Sequence, residues 1–571
     1  MRAIVWLILM VTELVFAAEI PKNFKEYLHD NPEESVKVWV FFKDKPDSHA
    51  RLMQKATSLI SQKALDRRIL RGQEKSLQQT DFPVDENYIK LVSNYAESVG
   101  HASRWLNALA VWSTPKDIGA LLKLSFIREI RPVARRITGP EKTSSGPPGE
   151  LNGFLKTTGL NYGPSQFQLT QIGVPVLHDK GLSGKGVTIA MLDDGFNLYK
   201  KHSAFQSLKV LAVHDFVNND GTVDDPNAPA NKGTHGTRTL SVIAGYAPGQ
   251  LIGPAYGASL LLAKTEIDSV EIPLEEDNWV AGLEWAEAKG ADIVSSSLGY
   301  IDWYTQQDMD GRTALTTLAT VIAEQKGLIV VNSAGNEGLT RDDALNTLIA
   351  PADGEFVITA GGVTADNLYW SVASRGPTVD GRIKPDVSAL GQNVFVASPF
   401  DTQGYLYNSG TSFSCPLIAG AIALLLEGYP ELSPRQVRKL IQYTASTNNA
   451  PNNEIGYGIL NIAAAYNLAD STQGQFGKVT ADFTSQTYPN PFTDYTRLPY
   501  GLKQLSAVKL RVFNSLGQVV YSPPSRSDKG EGYFILTAHD LGSAGVYYFS
   551  LEIKAADGGR QLKKGKLLFL R

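Results

Sequence analysis

The chain has 571 residues, 43% of them hydrophobic and 20% charged, which is the balance of an ordinary globular protein long enough for three or four domains. Its net charge of −4 supplies no basic field, so nucleic-acid binding and binding at an anionic membrane gain no support. With one cysteine, Cys415, an intramolecular disulfide is excluded.

At the amino end, Arg2 precedes the apolar run Ala3–Val11, and Ala17 offers a small residue for cleavage. Residues 1–17 read as a secretory signal peptide, although Glu13 is an unusual charge in such a segment. A secreted or cell-surface protein is expected, with no membrane span after the signal peptide is removed. Residues 18–136 carry strand patterns at Val36–Phe42, Trp105–Trp112 and Phe126–Val133, and helical patterns at His49–Arg71 and Pro115–Leu124. That alternation suggests a small α+β domain. Residues 137–159 begin with a Pro-, Gly- and Ser-rich stretch and read as a cleavable linker.

Residues 160–467 alternate strand and helix patterns, as in a largely parallel α/β sheet. Gly186–Leu192 reads as a buried strand that ends at Asp193, the position where such sheets hold their chemistry. His235 lies between Gly233 and Gly236 ahead of the helical pattern Leu240–Gly245, whereas its rivals His178, His202 and His214 lack flanking glycines. The acidic turn Asn218–Asp225 reads as a solvated turn and not as a calcium loop of EF-hand spacing. Acidic residues in Glu266–Asp277 are candidates to border a cleft. Asn336 follows the strand Gly327–Val331 in a Gly-containing loop, and its side-chain amide is a candidate oxyanion donor. Ser412, in Gly410-Thr411-Ser412, precedes an apolar helix expected to begin near Pro416, whose missing N–H suits a first turn. Taken singly, Asp193 is also a turn cap, His235 a core hydrogen bonder and Asn336 a left-handed turn residue. Taken together, four motifs in the order Asp, His, Asn, Ser point to nucleophilic acyl transfer.

On these motifs the chain resembles the subtilase family of serine endopeptidases over roughly residues 160–467. The resemblance implies that Asp193 orients the base, His235 is the base, Ser412 is the nucleophile and Asn336 donates to the oxyanion. It also implies that Ser297-Leu298-Gly299 and Ser333-Ala334-Gly335 form the two walls that pair with an extended polypeptide substrate. Two departures are Asp194, where Thr or Ser is usual, and Leu390, where Pro is usual. No cofactor is implied for the chemistry; a structural calcium ion is compatible with the family, and no ligands are assigned to it. Residues 18–136 resemble the family's inhibitor-like propeptides, so the protein is expected to be a zymogen blocked by its own propeptide. Cys415 fills a variable position of the nucleophile motif and reads as a buried hydrophobe. The alternative reading is a catalytically idle surface or adhesion protein on the same fold.

After a linker at 468–484, residues 485–571 open with Pro489-Asn490-Pro491 and continue with short alternating strands, the pattern of a small β-sandwich. They resemble the C-terminal sorting domains of proteins exported by type IX secretion, which would make that machinery a partner.

Overall fold

The computed structural model describes residues 19–73, 77–134, 142–144, 159–224, 233–266, 275–339, 346–476 and most of 483–570. The expected signal peptide and most of the 137–159 linker lie outside the described residues.

A seven-stranded sheet lies at the centre, in the order Val387–Leu390, Ile358–Val363, Ile329–Ser333, Ile293–Ser296, Thr188–Asp193, Ser259–Lys264, Lys209–Asp215. Every neighbouring pair is parallel. Thr188–Asp193 is buried along its whole length because both sheet faces are covered, as a parallel sheet requires. Side-chain alternation divides the strand between two cores. Ile189 and Met191 pack with the helix Thr411–Gly428, while Ala190 and Leu192 pack with Trp279, Leu283 and Leu315 of the helices Glu275–Ala288 and Leu315–Gln325.

The nucleophile-motif helix begins at Thr411, not near Pro416, and Pro416 lies inside it. By length and apolarity it alone among the described helices could cross a membrane, with a mean hydropathy of 1.5, but 89% of it is buried behind the sheet.

Residues 19–134 form a four-stranded antiparallel sheet in the order Ser98–Ser103, Ala108–Ser113, Val36–Phe42, Ile127–Pro132. Val38, Val40 and Phe42 face the domain's own helices, while Trp39 and Phe41 face the helices of the parallel-sheet domain. The expected helix from His49 to Arg71 is two helices, His49–Leu59 and Gln62–Leu70, because Ile60 is extended and the Ser61 hydroxyl caps the second. The second helix drives three arginines into the interface. Arg67 and Arg68 pair with buried Glu287, and Arg68 also takes Asp81 bidentately. Arg71 donates to the carbonyls of Asp292, Gly327 and Pro430.

This interface also corrects the expectation for Glu266–Asp277. Glu276 accepts from Trp39 Nε1 at 3.1 Å and from the Tyr304 hydroxyl at 2.8 Å, and Asp277 pairs with Lys37 at 2.6 Å. Glu266, also buried, accepts from the Tyr300 hydroxyl. These three acids therefore hold structure together and do not rim a cleft; residues 267–274 lie outside the described residues. A cavity of about 790 Å³ opens where this domain, the parallel-sheet domain and the C-terminal strands meet, remote from the carboxyl end of the Asp193 strand.

The C-terminal residues fold as a strand-rich unit around Tyr495–Phe513, which pairs along its first half with Arg526–Thr537 and along its second with Gly545–Ala555. Inward residues of both halves, including Tyr500 and Leu510, share one core with Phe549 of the strand Gly545–Ala555.

Candidate active site

Asp193 ends its strand at the carboxyl edge of the sheet and is 1% exposed. Its Oδ1 accepts from His235 Nδ1 at 2.5 Å and from the Asp194 N–H at 2.9 Å, and its Oδ2 accepts from the Thr239 hydroxyl at 2.9 Å. Burial pushes its pKa up, but the facing His235 and these hydrogen bonds outweigh burial and hold it below the usual carboxylate value. With Nδ1 donating to Asp193, the imidazole carries its free electron pair on Nε2, the configuration of a general base.

His235 opens the helix His235–Ala244. Gly236 must be glycine, since a methyl group there would overlap Gly195 O and crowd the Asp193 side chain. The other three histidines of the region are engaged elsewhere. His178 bonds the Tyr162 hydroxyl and Pro254 O, His202 bonds the Ala204 N–H and Gly404 O, and His214 packs edge-on to Phe216.

Ser412 lies in the first turn of its helix and is 4% exposed. The ring of the next residue, Phe413, is 6.1 Å from the His235 ring. Asn336 Oδ1 accepts from the Thr411 N–H at 3.0 Å and from the Thr411 hydroxyl at 3.1 Å. With the oxygen tied down, the amide nitrogen is the end available to a ligand. Gly335 (φ +110°) admits this turn, where a side chain would run into Glu337 and Ser374. Thus Asp193, His235, Asn336 and Ser412 are brought together at one end of the sheet.

Ser297, Leu298 and Gly299 continue from the strand Ile293–Ser296 and have no sheet partners among the described residues, and Ser333 ends the next strand. Asn332 Nδ2 donates to Leu298 O at 2.9 Å, so the segments Ser297–Gly299 and Ser333–Gly335 run side by side. All six residues are buried in this arrangement. The strand Lys142–Ser144 pairs antiparallel with Tyr405–Ser409, which leads directly into Gly410 and Ser412. Leu390 offers its carbonyl to the Ser414 hydroxyl. Cys415 is inert. Burial pushes its thiol up to about 12, and its S–H faces the carbonyls of Ser296 and Val331.

Thr239 and Thr411 escaped the sequence reading. Thr239 stands four residues after His235 on the same helix, a spacing that could have flagged it.

Asp193, Asp194 and His235 form a cluster of three groups of metal-ligating type. Asp193 and Asp194 already accept several N–H and O–H donors, which suits proton handling and not a cation. The expected solvated turn at Asn218–Asp225 is organised by Asp215, whose carboxylate takes the N–H groups of Val217 and Asn218 and the Lys264 ammonium; Asp225 lies outside the described residues.

The family model described as Subtilase family matches residues 184–458. Subtilisin of Bacillus pumilus is 30% identical over 302 residues, which span 52% of this chain and 98% of that protein. The chain belongs to the subtilase family. It is accordingly a serine endopeptidase. Subtilisin E of Bacillus subtilis (strain 168) is 31% identical over 303 residues, covering 52% of this subtilase and 70% of that protein. Residues 37–146 match a second family model, the peptidase S8 propeptide domain of Bacteroidota, so this subtilase carries a zymogen propeptide domain. The crystal structure of fervidolysin from Fervidobacterium pennivorans, described as a keratinolytic enzyme related to subtilisin, shares the fold with a TM-score of 0.56. It is 18% identical and is matched over 97% of this chain and 78% of that one.

Proposed function

We propose that this subtilase hydrolyses polypeptides through an acyl-enzyme on Ser412, with His235 as base, Asp193 as its orienting carboxylate and Asn336 as oxyanion donor. The 2.5 Å bond between His235 Nδ1 and Asp193 is the observation that carries the reading, because a ring that donates through Nδ1 has Nε2 as its proton acceptor. His235 Nε2 takes the Ser412 Oγ proton as the oxygen attacks the scissile carbonyl carbon. The Asn336 amide and the Ser412 N–H receive the negative charge on the carbonyl oxygen. His235 then returns the proton to the departing amine, and water, activated by the same nitrogen, releases the acyl group. Ser297–Gly299 and Ser333–Gly335 would bind the substrate main chain.

The proposed division of the chain is signal peptide 1–17, propeptide 18–136, linker 137–159, peptidase domain 160–467, linker 468–484 and sorting domain 485–571. The propeptide would inhibit in cis until the linker is cut. Pairing of Lys142–Ser144 with the strand entering Ser412 supports this, since it runs the end of the propeptide region beside the nucleophile. Export through the signal peptide and then type IX secretion is the proposed route, resting on the C-terminal motifs alone.

The test compares the wild-type chain with Ser412→Ala. The wild type should lose its propeptide and digest casein, and the variant should do neither. Equal digestion by the purified variant would sink the mechanism. Deleting residues 485–571 should trap the enzyme inside the cell; unimpaired release would sink the sorting role.

A further inference from the structure

We propose that Asp194 is a positioning residue that fixes the backbone from which the His235 imidazole hangs; this rests on the reading of His235 as the base. His235 is the first residue of its helix, and Thr234 before it makes no side-chain cap. The opening N–H groups of a helix have no partners within it and need acceptors from elsewhere. Asp194, 1% exposed and far away in sequence, supplies two. Its Oδ2 accepts from the His235 N–H at 3.2 Å, and its Oδ1 accepts from the Gly236 N–H at 2.8 Å.

The neighbouring aspartates thus hold one residue at two points. Asp193 takes the ring through Nδ1, and Asp194 takes the main chain beneath it. Because the Asp194 N–H also donates to Asp193 Oδ1, the two carboxylates are fixed relative to each other. A serine or threonine at 194 offers one short hydroxyl, whereas a carboxylate reaches two adjacent N–H groups at once. A general base misplaced by a fraction of an ångström loses rate without losing substrate affinity. Asp194 also brings negative charge close to the site where an imidazolium forms. Charged groups near the Asp193–His235 pair include Arg238 on the same helix, whose guanidinium donates to Thr234, and Lys264, which stands opposite Asp193 on the neighbouring strand and is paired with Asp215. The Phe413 ring covers another side.

The test uses the full chain as wild type, Asp194→Ala, Asp194→Asn and, as control, Ser412→Ala, each assayed on a chromogenic peptide. Asp194→Ala should lower kcat by at least about tenfold while KM stays within about twofold. Asp194→Asn, which keeps one acceptor, should lose less, and the acid limb of kcat/KM should move to lower pH in both. A kcat within twofold of wild type, or a loss carried by KM, overturns the proposal. If Asp194→Ala does not accumulate, amide hydrogen exchange compares Ser412→Ala with Ser412→Ala/Asp194→Asn. Faster exchange confined to His235 and Gly236 upholds the proposal, and unchanged exchange there overturns it. Wild type as inactive as Ser412→Ala would instead defeat the reading of the active site.

Discussion

The Ser297 hydroxyl donates to the carbonyl oxygen of Ser412 at 2.8 Å. In an unbroken helix that carbonyl would be taken by the N–H of residue 416, but residue 416 is proline and has none. A side chain from the segment after the strand Ile293–Ser296 therefore completes the first turn of the helix that carries Ser412. Ser297→Ala should strand a buried carbonyl, at a cost of about 1–3 kcal/mol. Chemical denaturation of the inactive Ser412→Ala chain, with and without the change, measures it; identical midpoints would remove the argument.

Thr239 should matter to rate and little to binding. Thr239→Val keeps shape and removes the donor to Asp193 Oδ2. The carboxylate would then be held on one oxygen only, and kcat is expected to fall about tenfold with KM nearly unchanged. Steady-state kinetics on a peptide substrate decides, and a loss confined to KM counts against the role.

Asn336→Ala should be more severe. Subtilisin itself loses about 10²–10³ in kcat when its oxyanion donor is removed, and the same order is expected here. Asn336 also accepts from Thr411, so Thr411→Val serves as a comparison that disturbs the amide's anchor without deleting the amide. Its loss should be the smaller of the two.

The propeptide interface carries a pH dependence. Glu276 is fully buried between Trp39 and Tyr304, and burial raises its carboxyl to about 8 against the lowering effect of the hydrogen bonds from Tyr304 and Trp39, with Asp277 adding to the rise and Arg131 opposing it. The folded state therefore holds a proton that the unfolded chain releases near pH 4.5. The contribution of Glu276 to stability then falls as pH rises from about 4.5 to about 8. In the Ser412→Ala chain, Glu276→Gln should flatten that fall. Thermal melts across this range test it, and an unchanged slope rules out Glu276 as the source.

The motif residues were legible because each sits in a short stretch with a glycine or a strand end that marks it. Their supports were less so. Asp194 acts on a helix 41 residues further on, and Asn336 is anchored by Thr411, 75 residues away, separations no local pattern reveals. The start of the helix that carries Ser412 differs from the expectation because Pro416 looks like a first-turn residue, whereas the hydroxyl of Ser297 takes the carbonyl that a proline deeper in the helix leaves without its N–H. In the propeptide, the strand Ser98–Ser103 and the helix Glu86–Ser93 went unread. The strand is polar and mostly exposed at a sheet edge, and the helix buries only Val92. The parallel sheet was easier, since strands buried on both faces are written as uninterrupted apolar runs.

Arg71 grips the peptidase domain through three main-chain carbonyls, those of Asp292, Gly327 and Pro430, and through one side chain, the carboxylate of Asp292. Every amino acid supplies that acceptor. At these three carbonyls the propeptide is matched to the path of the backbone, while the Arg71–Asp292 ion pair and the pairs made by Arg67, Arg68 and Lys37 add side-chain recognition. Substitutions at Gly327 and Pro430 can keep these contacts as long as the loops keep their course, whereas a change at Asp292 also removes the carboxylate that pairs with Arg71. By the same logic, this propeptide region should tolerate a cousin enzyme whose loops follow that course under different residues.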